Sequence, residues 1–406
     1  MRPRGWRHEA SCVGRMGTLS DQLVSAGQTA VHGLGFVVAA FAILGALYTA
    51  TAAATALRVF GRPRRRRAEA PAVTVIKPLK GVQAGLAQAL ERFCHQSYAG
   101  PIQIVFGVHD AIDPAIGVVR ALQRAHPELD IELRIDPRIH GSNLKASNLI
   151  NIVTAAKHEV LILSDADILV TPDYVDTVVG ALGEPGVGLV SSFYVGEARG
   201  GTWARLSAMA INYQFMPGAV LGKTLGLEEP CFGSTIALTR DVLERVGGFA
   251  AFADHLADDY EIGRAVRGLG LKIALPPMTV GHICDDAKAG PMIDRELRWG
   301  RTVFQINPAG YAGSLITYPL PLAMIASTLL GLAPLSLALV AAVLALRLGF
   351  RATFDLATGA SAGRWWWLPA SDILAFGLFV ASFGVKRVGW HGARFRVSRE
   401  GALLQS

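Results

Sequence analysis

A chain of 406 residues that is 51% hydrophobic, with a mean hydropathy of +0.36, is too apolar for an ordinary soluble domain, so membrane segments are expected. Its formal charge of +7 is unevenly placed: residues 1–71 hold ten arginines against three acids, and five bases against Glu400 follow from Lys386 onward, leaving the region between mildly acidic. Bases set beside apolar segments suit the positive-inside rule and argue against nucleic acid as a partner, which would want them on the folded region.

Residues 1–32 are polar and irregular, with Arg2, Arg4, Arg7 and Arg15, and are expected to form a disordered extension. Gly33 to Leu57 carries no charge and as a helix would be about 37 Å long, which places a transmembrane helix at 33–58. A cleavable signal peptide is the alternative, but the run is longer than a usual signal core and lacks a small-x-small exit. Arg58, Arg62 and Arg64 to Arg67 follow at once, a basic cluster that predicts a cytoplasmic location for the next region.

From 72 to 305 short β-rich runs alternate with helical stretches. The predicted strands are Val73–Ile76, Gln103–Val108, Ile131–Ile135 and Val160–Leu163, and the predicted crossover helices are Gly81–Cys94, Pro114–Ala125 and Ser147–Lys157. This is the pattern of an α/β fold with a mostly parallel sheet flanked by helices, whose ligands bind at the carboxyl ends of the strands. Further apolar segments lie at 315–346, punctuated by Pro319, Pro321 and Pro334, and at 365–385, where Asp372 is charged. One crossing each is expected, giving three transmembrane helices, with a hairpin over 315–346 as the alternative. Trp365 to Trp367 would then mark the outer interface, and 386–406, with Lys386, Arg387, Arg394 and Arg396, a basic cytoplasmic tail. Cys12, Cys94, Cys231 and Cys284 show neither a CxxC pair nor zinc-ligand spacing and read as buried thiols in a reducing compartment.

The chemistry-bearing residues fall at the predicted strand ends. A buried strand runs into Asp165 and Asp167, a DxD that can hold Mg²⁺ or Mn²⁺ against a diphosphate; Asp clusters that only form turns are the plain alternative. Asp110 follows the second strand, where an acid can accept hydrogen bonds from a base or ribose, and Asp113 reads as a helix cap. Lys145, in Gly141-Ser-Asn-Leu-Lys-Ala-Ser-Asn148, offers a cation for phosphate contacts, or is a surface lysine. In Asp254-His-Leu-Ala-Asp258-Asp259-Tyr260-Glu261 the acids either favour a helix dipole or supply a general base, for which Asp259 is chosen. Arg295 and Arg298, at i, i+3 with Trp299 beside them, can hold a diphosphate and line an acceptor pocket, or anchor the chain at the membrane interface. His282 and Cys284 are left out as structural.

Taken in order, "GVHDAIDPAI", "LILSDADI", "LADDYEIG" and "RELRW" resemble the GT-A glycosyltransferases of family 2 and its neighbour, the ceramide glucosyltransferases of family 21. Their pattern is three separated aspartates followed by (Q/R)xxRW. Val75 to Gly81 also resembles that family's opening strand and loop, with Lys77 and Pro78 among the residues that would hold the donor. The resemblance implies a GT-A fold, a UDP-sugar donor, contact of Asp110 with the nucleotide, and metal–diphosphate binding by Asp165 and Asp167. It also implies Asp259 as the base of an inverting displacement, and Arg295, Arg298 and Trp299 at the diphosphate and acceptor. Bacterial members similar to ceramide glucosyltransferases include hopanoid-associated enzymes that place N-acetylglucosamine on a polyhydroxylated hopanoid such as bacteriohopanetetrol, and that acceptor is favoured over ceramide. The implied setting is the bacterial cytoplasmic membrane, with the catalytic domain in the cytoplasm. A processive synthase would want more membrane helices, a polyprenyl-phosphate sugar transferase is a nearer rival, and a noncatalytic nucleotide-sugar-binding scaffold would have no need of a base.

Overall fold

A computed structural model describes residues 9–63, 70–227, 229–384, 388–390, 393–397 and 403–405. Helix α1 (Glu9–Phe60) leads into an α/β domain built in the order β1 (Val73–Pro78), α2 (Leu86–Cys94), β2 (Ile102–Val108), α3 (Ala115–Ala125), β3 (Asp130–Ile135), α4 (Leu144–Val153), β4 (Val160–Leu163), β5 (Ile168–Leu169) and α5 (Tyr174–Leu182). It continues with β6 (Val187–Ser191), β7 (Phe193–Ala198), α6 (Thr202–Ala210), α7 (Met216–Thr224), β8 (Ile236–Thr239), α8 (Arg240–Arg245), α9 (Asp258–Gly268), β9 (Lys272–Ala274) and β10 (Thr279–Cys284). The remaining elements are α10 (Ala289–Ile306), α11 (Pro308–Gly313), α12 (Pro319–Leu329), α13 (Pro334–Thr358), α14 (Leu368–Ser382), β11 (Val388–Trp390), β12 (Ala393–Val397) and β13 (Leu403–Gln405).

The main sheet has the order β3-β2-β1-β4-β8-β6-β9. Its pairs are parallel except where β8 runs against β4 and β6. Every residue of β1 and β4 is buried, as a strand covered by helices on both faces requires. Alternation along β1 sends Val73 and Val75 into one core, with Phe93 of α2 and Val119 of α3. Ile76 goes into the other, with Leu149 and Ile152 of α4 and Ile262 of α9. Helix α2 forms because Leu86, Ala89, Leu90 and Phe93 repeat at helical spacing on its buried side. Strand order reverses between β1 and β4, the crevice where such folds bind ligands. A second sheet, β5-β10-β7, sets β10 antiparallel to β5 with His282 opposite Ile168. This is the α/β architecture of a mostly parallel sheet flanked by helices that the sequence predicts.

The apolar segments are divided differently from the three expected helices. Helix α1 begins at Glu9, so much of the stretch expected to be disordered is helical; no proline interrupts it before Pro63. Ser25–Phe60 and Pro334–Thr358 are long and apolar enough to cross a membrane, and 308–317 with 319–329 would make a third candidate bent by 72°. The expected single crossing over 315–346 is instead split. Gly331 and Leu332 have positive φ and Pro334 restarts the chain as the first residue of α13, so α12 and α13 fold against each other, with Ser327 Oγ 3.0 Å from Ser336 Oγ. A Cβ on Gly35 of α1 would lie 2.9 Å from the Leu330 side chain, and one on Gly45 would collide with the Ile316 carbonyl oxygen, so glycine lets α1 close on the hairpin.

Helix α13 runs past the expected boundary at Leu346 because Arg347 turns inward. Its guanidinium binds both oxygens of Asp372 on α14, at 2.8 and 2.7 Å, and the Tyr213 carbonyl. Helix α14 has 15 residues, about 22 Å, too short to cross alone. Trp365 to Trp367, expected at the outer interface, lie on the domain side. Trp367 packs beside Ala52, Phe193, Phe350 and Phe354, and the Arg205 guanidinium stands 6.0 Å from its ring. Phe36, Phe41 and Leu47 of α1 and Leu335 and Leu337 of α13 remain exposed, the face a bilayer would cover. Arg64 to Arg67, Lys386 and Arg387 lie outside the described residues; β11, β12 and β13 make a small antiparallel sheet where a plain tail was expected.

Candidate active site

Four loops meet at the carboxyl end of the sheet. Strand β4 stops at Leu163 and the chain turns through Ser164, Asp165, Ala166 and Asp167. Beneath the turn lies Lys77, fully buried at the end of β1, whose Nζ donates to the Asp165 carbonyl at 2.8 Å and to Ser164 Oγ at 3.4 Å and sits 3.8 Å from the Phe93 ring centre. Burial pulls its pKa down to about 7, against the charges of Asp165 and Asp167. Lys77 therefore faces the underside of the DxD turn. Pro78, buried beside it, closes the strand before the Leu79 N–H donates to the Gly107 carbonyl at 2.8 Å.

Asp113 caps α3 through the Ala115 N–H at 2.8 Å and also accepts the Gly81 N–H with both oxygens, at 3.1 and 2.9 Å. It thereby fastens the loop after β1 to the loop after β2. Asp110 stays exposed in that second loop, its Oδ1 accepting the Ile112 N–H at 3.0 Å. Asn143 caps α4 and donates to the His255 carbonyl, while Asn148 donates to the Gly107 carbonyl at 2.8 Å. In that segment the Ser142 N–H donates to Asp254 Oδ1 at 2.8 Å, and Lys145 is the cation turned to Asp165 and Asp258.

Lys145 Nζ lies 2.7 Å from Asp165 Oδ1 and 3.4 Å from Asp258 Oδ2. Burial alone would lower its pKa, but Asp165, Asp258 and Asp259 outweigh it and keep the ammonium charged. Asp259 opens α9, its Oδ2 accepting the Gly233 N–H at 2.9 Å and its Oδ1 the Tyr260 N–H at 2.8 Å. A Cβ on Gly233 would stand 2.9 Å from Asp165 Oδ2, 3.0 Å from Lys145 Nζ and 3.6 Å from Asp259 Oδ2. One glycine thus marks the place where the DxD, the lysine and the chosen base converge, and a side chain there would press on the tips of Asp165 and Lys145. Burial, followed by repulsion from Asp258, raises the Asp259 pKa to about 6, with Lys145 opposing.

Asp167 Oδ2 is 3.7 Å from His282 Nδ1, and its Oδ1 is buried with no hydrogen-bond partner among the described residues. A free, buried carboxylate oxygen beside a second carboxylate fits the hard-oxygen ligand set of Mg²⁺ or Mn²⁺. His282, left out at the sequence level, belongs here: its ring lies 5.8 Å from Tyr194 and 6.4 Å from Trp299. Tyr194 in turn meets Phe232 at 5.4 Å and Phe215 at 5.7 Å. These aromatics form an apolar wall that runs from the DxD to the π-helical turn Ile211–Phe215.

The arginines of α10 divide. Arg295 is held by Asp286 through two bonds of 2.8 and 2.7 Å and by Ser207, an arrangement that fixes the helix. Arg298 carries no ion pair among the described residues; burial and then Arg295 lower its pKa. Trp299 lies under Arg295, 5.5 Å from its guanidinium. Between them Glu296, which motif reasoning passed over, sets its buried Oε1 3.7 Å from the Arg295 guanidinium, and burial lifts its pKa to about 7 despite Arg295.

A sequence model of glycosyl transferase family 21 matches residues 36–403. Ceramide glucosyltransferase 1 of Caenorhabditis elegans is 27% identical over 206 residues, covering 50% of this chain and 44% of that protein. Ceramide glucosyltransferase 3 of the same organism is 24% identical over 230 residues, covering 56% and 50%. The chain spans about half the length of the curated relatives it matches. Among solved structures, a Pyrobaculum calidifontis mannosyltransferase in complex with GDP-Man and Mn²⁺ covers 86% of this chain and 99% of its own, with 21% identity and a TM-score of 0.47. With the family's match extending over most of its length, the chain belongs to glycosyl transferase family 21.

Proposed function

We propose that this chain is an inverting glycosyltransferase that moves a sugar from a UDP-sugar, N-acetylglucosamine or glucose, onto a hydroxyl of a membrane lipid at the cytoplasmic face of a bacterial inner membrane. The observation that carries this reading is the convergence of Asp165, Lys145 and Asp259 on Gly233, which joins a diphosphate-binding acid, a fixed cation and a base at one point. Asp259 takes the proton of the acceptor hydroxyl as its oxygen attacks the anomeric carbon. The bond from that carbon to the diphosphate breaks, the nucleoside diphosphate departs with the bonding electrons, and Lys145 and Arg298 offset its charge. Asp165 and Asp167 would hold Mg²⁺ or Mn²⁺, which when bound neutralises the diphosphate. Asp110 is assigned to the nucleoside and Trp299 to the border of the acceptor.

A lipid acceptor is supported by the shared core of α1, α13 and the α/β domain and by the similarity to ceramide glucosyltransferases. A polyhydroxylated hopanoid such as bacteriohopanetetrol is preferred to ceramide on the resemblance to the hopanoid-associated members. The test is to incubate detergent-solubilised protein with UDP-N-acetylglucosamine or UDP-glucose, Mg²⁺ or Mn²⁺, and either lipid, and to weigh the products by mass spectrometry. A hexosamine adduct on the hopanoid is the expected result. A hexose on ceramide alone would transfer the assignment to the ceramide reading, and bound donor with no product from any pairing would make the chain a nucleotide-sugar-binding scaffold.

A further inference from the structure

We propose that Glu91, His95 and His126 form a second metal site, for a zinc-class divalent cation, on the solvent side of α2 where it meets the end of α3. Glu91 lies on α2, and His95, four residues on, caps the end of that helix in a non-helical conformation, with φ −106 and ψ 60. His126 ends α3 in a non-helical conformation, with φ −127 and ψ 63, which swings its ring toward α2. Glu91 Oε1 lies 2.9 Å from His95 Nε2 and 2.7 Å from His126 Nε2. The imidazoles meet edge to face at 5.2 Å, and all three ligand atoms fall within 4.8 Å of one another.

Zinc bonds of about 2.0–2.2 Å in tetrahedral geometry put ligand atoms roughly 3.3–3.6 Å apart, so a small outward rotation of Glu91 seats an ion with an open fourth position for water. Two imidazoles and one carboxylate favour Zn²⁺ over the Mg²⁺ or Mn²⁺ assigned to the DxD. Behind His126, Glu128 Oε1 approaches the other ring nitrogen at 3.4 Å. A carboxylate there fixes the tautomer that leaves Nε2 free for the metal. His95 is 63% exposed at its side chain and His126 13%, so one ligand is fixed and the other opens a path from solvent. Bound metal would staple α2 to the end of α3, and the opposite side of α2 carries Phe93, the ring beside the Lys77 ammonium.

The test uses the full chain in detergent, stripped of metal, in an Asp165→Asn/Asp167→Asn background that silences the DxD. Zn²⁺ is titrated calorimetrically and Co²⁺ by its visible absorption. One equivalent should bind, with the absorption of a tetrahedral nitrogen–oxygen site. Adding His95→Ala should abolish binding, and adding Glu128→Gln should weaken it about 10–100-fold. His95 is exposed, so its truncation leaves the fold intact, and circular dichroism checks this. Absence of binding, or binding indifferent to His95→Ala, would reduce the cluster to a hydrogen-bonded network of Glu91 with the two histidines.

Discussion

Lys145 and Lys77 are both cations near Asp165, yet their surroundings give them different work. Lys145 faces three carboxylates and keeps its charge, whereas Lys77 is sealed beneath the DxD turn with its pKa drawn down to about 7. Replacing Lys77 by Met should therefore leave substantial folding stability, because an isosteric apolar side chain fills the space. Loss of its bond to the Asp165 carbonyl should loosen the turn and weaken metal dependence on the order of tenfold, as removal of an outer-shell support does. Activity measured against Mn²⁺ concentration decides this; an unchanged metal profile would remove Lys77 from the site. For Asp259, burial has raised the pKa to about 6, and a base acts only when deprotonated. Below that value kcat/KM should fall about tenfold per pH unit, with a level region above it. At this scale Asp165 and Asp167 are visible locally as acids after an apolar run, and Asp259 as one of a cluster of acids at a helix start. His282 reaches Asp167 through the register of β10 on β5, and Gly233 reaches Asp259 through a fold of the chain; neither relation has a local signal.

Among elements, α13 and α14 are joined by a fully buried ion pair between Arg347 and Asp372, which are 2% and 1% exposed at their side chains. Gln214, within the π-helical turn, donates to the same carboxylate at 2.7 Å. Arg347→Met alone would strand the Asp372 charge and should cost about 3–5 kcal/mol, while Arg347→Met with Asp372→Leu should recover most of that loss. Denaturation of the detergent-solubilised variants measures both; equal losses in the single and double variants would argue against the pair as the cause. The first strands and crossover helices were legible within a residue or two at most ends, since their buried runs are continuous. Helix α13 was not: Arg347 and Arg351 looked like the end of an apolar segment, and only their partners across the fold explain why the helix continues to Thr358.

For the whole molecule, one side is set by the shared core of α1, β7, α13 and Trp367, and the other by Gly35 of α1 beside Leu330 at the hairpin turn. If the basic residues after α1 hold the catalytic domain in the cytoplasm, Leu332→Cys should react with an impermeant thiol reagent added outside intact cells, and Trp366→Cys only after permeabilisation. Labelling of Trp366→Cys from outside would reverse this orientation. The aromatic belt was misplaced at the sequence level because three adjacent tryptophans identify an interface without saying which one.

The convergence of donor acid, lysine and base on Gly233 is tested most directly by comparing Asp259→Asn with the unaltered chain in donor binding and single-turnover transfer to lipid. The variant is expected to bind the UDP-sugar with nearly unchanged affinity and to lose transfer by about 10²–10⁴-fold. Transfer retained within a few-fold would contradict the assignment of Asp259 as base and require another group to take the acceptor proton.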